Sequence, residues 1–151
     1  MSFVPDGFEP PAGIATERFL LEPLGPQHNE SDFEAWSSSI EHIRATPGFH
    51  DSTWPHEMTI DDNRRDLERH AQDFTARTGF TYTVLDPASR AVIGCVYMYP
   101  DNKGDCDAAV ESWVRASHAQ LDSALRELVS GWLSESWPFE RVAYATARPA
   151  P

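Results

Sequence analysis

Val92 to Tyr99 (VIGCVYMY) constrains this chain more than any other stretch, because eight nearly continuous apolar residues predict a strand buried on both faces. Such a strand needs cover above and below, so the rest of the chain must supply layers for both faces. A turn, Pro100 to Asp105 (PDNKGD), leads to a second, more polar strand at Ala108 to Val114 (AAVESWV). Leu121, Leu125, Leu128, Trp132 and Leu133 then recur at helical spacing. Ser117 to Gln120 spells a capping box that predicts the start of this helix, and Trp137-Pro138 predicts its end. Arg141 to Thr146 (RVAYAT) reads as a last strand, reached by a right-handed crossover if it runs parallel to its neighbour.

Upstream, Phe80 to Leu85 (FTYTVL) alternates aromatic and β-branched residues and forms a hairpin with the central strand. Ser31-x-x-Glu34 predicts a helix over about 32–45, carrying Phe33, Trp36, Ile40 and Ile43. Thr59 to Asp62 repeats the capping pattern, with Ile60, Leu67, Ala71 and Phe74 as the apolar stripe and Thr78-Gly79 as the stop. Arg18 to Leu24 reads as a first strand near an edge, because it ends at Pro23. Residues 1–15 hold three prolines and predict an extended arm anchored by Phe3 and Phe8, followed by a single domain over 16–151. The expected order is β-α-α-β-β-β-α-β, an α/β fold with a mixed, mostly antiparallel sheet flanked by helices.

Charge narrows the partners. With 24 acidic residues against 12 Lys plus Arg, and no basic run, the chain is expected to bind neither nucleic acid nor an anionic membrane. The N-terminus has no basic segment and no apolar signal core, and two cysteines make no disulfide framework, so a cytoplasmic protein is expected. Cys95 reads as a small buried core residue.

The candidate site residues are few. Glu111 sits in mid-strand, where partial burial would raise its pKa into the range of a general base, against the bland reading of a solvent-facing residue. His50, Asp51, His56 and Glu57 carry metal-ligating chemistry, but their spacing matches no metal site, and a solvated loop is the better reading, with no metal expected. His118 reads as an exposed turn residue. Trp36, Trp54 and Trp113 read as core or rim anchors, with an apolar pocket as the alternative.

TERFLLEPL at Thr16 to Leu24, TYTVLDPASRAVIGCVYMYP at Thr81 to Pro100, and ESWVR followed by a helix ending WPFERVAYA resemble, in that order, the GNAT family of N-acetyltransferases with its acyl-CoA N-acyltransferase fold. The resemblance covers roughly residues 16–146. It implies that the strand at Ala108 to Val114 splays from the strand at Arg141 to Thr146, and that the pantetheine arm of acetyl-CoA lies in the gap. By position it assigns Trp113, Val114, Arg115 and Gln120 to the cofactor. It supports Glu111 as catalytic base and leaves Tyr99 and Tyr97 as candidates for protonating a leaving thiolate, Tyr99 being carried forward.

In the family the pyrophosphate rests on a glycine-rich loop at a helix N-terminus. Here that joint reads RASHAQLDSAL, Arg115 to Leu125, with no glycine and with Asp122 in the first helical turn. Ser117 as N-cap would occupy one of the donors a phosphate needs. The family also continues with a further helix and two strands that this sequence does not show. Weak or absent acetyl-CoA binding is therefore expected. The resemblance implies acetyl transfer from acetyl-CoA to an amine of an unidentified acceptor. The alternatives are a non-catalytic relative that binds a small ligand or a partner, and a homodimer closed along the exposed edge at Arg141 to Thr146.

Overall fold

The computed structural model describes residues 2–50 and 53–146. Six strands form one sheet in chain order: β1 Ile14–Ala15, β2 Leu20–Pro23, β3 Phe80–Leu85, β4 Val92–Tyr99, β5 Ala108–Val114 and β6 Val142–Tyr144. Every neighbouring pair is antiparallel except β5 and β6, which are parallel. Among the described residues four α-helices accompany them: α1 Asn29–Ser37, α2 Ile40–Arg44, α3 Ile60–Ala76 and α4 Asp122–Ser136. None is long and apolar enough to cross a membrane.

Strand alternation divides the core into two clusters, one on each face of the sheet. Phe80, Tyr82, Val84, Val96, Met98, Val110 and Val114 pack with Leu125, Val129, Trp132 and Leu133 of α4. The arm joins this face: Phe3 stacks on Phe139 at 5.0 Å, and Phe8 lies 5.3 Å from Trp137. On the other face, Leu85, Val92, Cys95 and Trp113 pack with Trp36, Ile43 and Leu67 of the first three helices. The β3–β4 register shifts between Val84 and Leu85, leaving Ile93 as an extra residue and changing which side chains face which helices. Gly94 lies at this shift, where a Cβ would come 2.4 Å from the Trp113 carbonyl oxygen, so only glycine lets β4 and β5 approach this closely.

Several local expectations are corrected. The arm is not irregular throughout, since Ile14–Ala15 pairs with β2 once the prolines have ended at Pro11. Ser31 does not cap a helix. The helix begins two residues earlier, at Asn29, and the Ser31 hydroxyl accepts from Val92 N–H at 2.8 Å, pinning the start of β4. The helix expected over 32–45 breaks at Ser38–Ser39, where the Ser38 hydroxyl donates to the carbonyls of Glu34 and Ala35. In α3 the Thr59–Asp62 capping box is present, but Ile60 is 42% exposed and Asn63, at 2%, takes the buried position. The α3 stop is Arg77, in the left-handed region at φ 65°, rather than Thr78-Gly79.

Candidate functional site

The expected helix start at Ser117 is corrected as well. Ala116–Leu121 is a 3-10 turn interrupted at His118, and α4 proper begins at Asp122. Ser117 caps nothing; its hydroxyl bonds to His118 Nδ1 at 2.9 Å. The α1–α2 corner clamps the joint: Ser39 Oγ accepts from Ala116 N–H at 2.8 Å, and Arg115 donates to both Glu34 oxygens at 2.8 and 3.3 Å. The first two amides of the joint are therefore already engaged, Arg115 N–H by the Ile93 carbonyl and Ala116 N–H by Ser39. Arg115 Nε, Arg126 Nη1 and Asp122 Oδ1 are each buried without a partner among the described residues.

β5 and β6 part beyond this point. Their paired register runs from Ala108–Val142 to Val110–Tyr144, and Ala145 N–H adds one bond to the Val110 carbonyl. Because Val110 directs its carbonyl toward β6, strand alternation turns the backbone groups of Ser112 and Val114 the same way, into the space past the last pair. Ser112 Oγ hydrogen-bonds the Tyr144 hydroxyl across the start of this space. Arg126 of α4 donates to the Ala145 carbonyl and lies 4.4 Å over the Tyr144 ring. A cleft of about 630 Å³ borders this region, lined by β4, the turn after it, β5 and β6.

A second cavity, about 460 Å³, adjoins this cleft under α3, lined also by Phe49, Thr53, Trp54, His56 and Met58. Phe49, Trp54 and Tyr97 form one aromatic wall, with ring centroids 6.0 to 6.5 Å apart. Asp32 and His70 also line this cavity, while Glu111, Tyr97 and Tyr99 line both spaces. Glu111 thus stands on the partition. It makes no side-chain hydrogen bond or ion pair among the described residues, and burial lifts its pKa to about 7. Gly48, at φ 99°, lies against it: a Cβ there would come 2.8 Å from Glu111 Oε2.

The remaining predicted residues are placed as follows. Tyr99 OH donates to Asp73 at 2.8 Å and lies 2.9 Å from His70 Nδ1, and burial raises its pKa. Trp113 is fully buried, its indole N–H donating to Tyr97 OH at 3.0 Å, and Val114 is fully buried toward α4. Gln120 is exposed in the 3-10 turn. Of the loop cluster, His56 Nδ1 bonds the Thr53 carbonyl at 2.8 Å, and Asp51 lies outside the described residues.

Three cavity residues escaped the sequence analysis: Asp32, Asn63 and His70. Asn63 accepts from the Trp36 indole at 3.0 Å and donates to Asp32 at 3.1 Å and to Asn29 at 2.8 Å. Asp32 is only 4% exposed, and burial, more than its hydrogen bond from Asn63 can offset, raises its pKa to about 6. His70 Nδ1 also contacts Thr81 Oγ1 at 3.0 Å, and burial drops its pKa to about 4, so the imidazole is neutral at pH 7. The signal available was helical phase. Asn63, Leu67, His70 and Phe74 share one face of α3, and polar residues inside an apolar face mark buried polar networks.

Among solved structures, the ribosomal-protein-S5-alanine acetyltransferase from Vibrio fischeri superposes with a TM-score of 0.67 at 12% identity, covering 89% of this chain and 73% of that one. A structure described as a GnaT-family acetyltransferase from Bordetella pertussis gives a TM-score of 0.56 at 20% identity, over 87% and 77%. The fold is that of the GNAT acetyltransferases. The microcin C7 self-immunity acetyltransferase MccE, solved with acetyl-CoA and AMP, shares the GNAT fold with a TM-score of 0.59 at 15% identity, over 84% and 70%. No protein-family model and no curated protein matches the sequence.

Proposed function

We propose that the chain is a GNAT-type N-acetyltransferase that moves an acetyl group from acetyl-CoA to an amine held in the aromatic cavity. The observation that carries this reading is the position of Glu111, unpaired and near neutral in pKa, lining both that cavity and the cleft that borders the β5–β6 gap. The gap fits the pantetheine arm, because the backbone groups of Ser112 and Val114 turn toward it. It fits the pyrophosphate poorly. The Ala116 amide is engaged by Ser39, Arg115 is paired with Glu34, and Asp122 adds a carboxylate. Acetyl-CoA, when bound, would supply the thioester carbonyl. Glu111 accepts the proton of the acceptor ammonium, and a base that titrates near pH 7 is matched to that task. The aromatic wall keeps water from the amine. Tyr99 is bonded through its own proton to Asp73, which fixes its ring at the partition.

A second reading, a non-catalytic relative that binds a small ligand, is favoured by one observation: the glycine-free joint with its engaged amide. Thiol release from acetyl-CoA across a panel of primary amines separates the two. The enzyme reading expects amine-dependent release that rises as Glu111 ionises through pH 7, reduced about 100-fold or more in Glu111→Gln. Release that is absent with every amine, or equal in Glu111→Gln, removes it.

A further inference from the structure

The aromatic cavity holds two carboxylates that the protein does not neutralise. Neither Asp32 nor Glu111 takes part in a salt bridge among the described residues, and Asp32 accepts through Oδ2 alone, from Asn63. Its other oxygen has no partner there, although the side chain is almost wholly buried. The basic side chains close by are engaged elsewhere or uncharged. Arg69 pairs with Asp66 at 3.3 Å, His28 is held between Glu22 and the Gly25 amide, His56 bonds the Thr53 carbonyl, and His70 is neutral at pH 7. An anion entering the cavity would meet Asp32, Asp66 and Glu111. A neutral apolar molecule would leave the carboxylates desolvated and unpaired.

A cation resolves both problems. It supplies the missing counter-charge, and the faces of Phe49, Trp54 and Tyr97 attract a positive group through their ring quadrupoles while burying an apolar body. The volume of about 460 Å³ lies within the usual range for small-molecule sites.

We propose that this cavity binds an organic cation, an ammonium carried on an apolar, ring-sized body, with its charge met by Asp32 and Glu111 and its body set against Phe49, Trp54 and Tyr97. This deepens the acetyl-transfer reading by naming the acceptor class. Binding itself needs no cofactor, so the two claims fail separately.

The test is calorimetric titration of the full chain, without acetyl-CoA, using phenethylamine, 2-phenylethanol and phenylacetate, three probes that share a ring and differ in charge. Phenethylamine is expected to bind about tenfold or more tighter than the alcohol, with no heat from phenylacetate. Asp32→Asn and Glu111→Gln are each expected to weaken phenethylamine about tenfold or more while leaving the alcohol unchanged. Glu111→Gln keeps the test valid if Asp32→Asn disturbs the Asn63 network. An alcohol that binds as tightly as the amine, no amine binding at millimolar concentration, or full amine affinity in a folded variant overturns the proposal. Amine binding without thiol release would remove acetyl transfer and leave this inference standing.

Discussion

The cavity under α3 shares Glu111, Tyr97 and Tyr99 with the cleft bordering the β5–β6 gap, yet the cavity and the gap treat charge in different ways. At the gap the arginines are tied to the protein itself, Arg115 to Glu34 and Arg126 to the Ala145 carbonyl and the Tyr144 ring. In the cavity the carboxylates of Asp32 and Glu111 are left without a counter-ion among the described residues. Burial then raises both pKa values, outweighing the Asn63 hydrogen bond at Asp32 and meeting no opposing contact at Glu111. The contrast separates a space whose carboxylates lack a counter-ion from one where Arg115 is ion-paired and Arg126, bonded to a carbonyl, keeps Nη1 without a partner among the described residues.

The largest expected effect of breaking this arrangement is on the cavity floor. Asn63→Ala strands the Trp36 indole N–H and removes the donor to Asp32, and should cost on the order of 2–3 kcal/mol in chemical denaturation. A loss below about 0.5 kcal/mol would mean that the network contributes little to the fold.

Next comes the pH dependence of stability. Both carboxyls have folded pKa values above their ordinary 3.8 and 4.5. Their contribution is therefore full below those values and is lost as pH rises through about 6 for Asp32 and about 7 for Glu111. Glu111→Gln should flatten the decline and make the variant more stable than the parent chain at pH 8, by on the order of 2 kcal/mol. Parallel stability curves for the two proteins would show that Glu111 is not held in a desolvated site.

The smallest effect belongs to the joint. Arg115→Ala removes a pair whose Glu34 partner is 64% exposed, so solvent screening keeps the stability loss under about 1 kcal/mol. The Glu34 pKa, held low by the Arg115 hydrogen bonds, should rise toward its ordinary value in that variant, as followed by NMR titration. An unmoved Glu34 titration would mean that the pair does not clamp the joint in solution.

Much of the scaffold could be read from residues, and the reason is period. β3, β4 and β5 lie where their apolar and alternating runs predict, because strand chemistry is local and these runs are long. Capping boxes were less reliable. Thr59–Asp62 caps α3, whereas Ser31 and Ser117 carry the same spelling and bond elsewhere, one to Val92 N–H and one to His118. A serine hydroxyl takes whichever donor the tertiary structure brings, and the sequence does not show that donor. Glu111 was legible as a polar residue in mid-strand. The cavity around it was not, since Asp32 of α1 meets Asn63 and His70 of α3 only in the fold.

Calorimetric titration of the full chain with acetyl-CoA tests the central claim most directly, by asking whether the gap takes the cofactor that the Glu111 partition requires. The account predicts saturable binding with a dissociation constant of about 100 μM or weaker, unchanged in Glu111→Gln. No saturable binding at millimolar acetyl-CoA would contradict acetyl transfer, and a dissociation constant near about 1 μM would contradict the weak grip assigned to the joint.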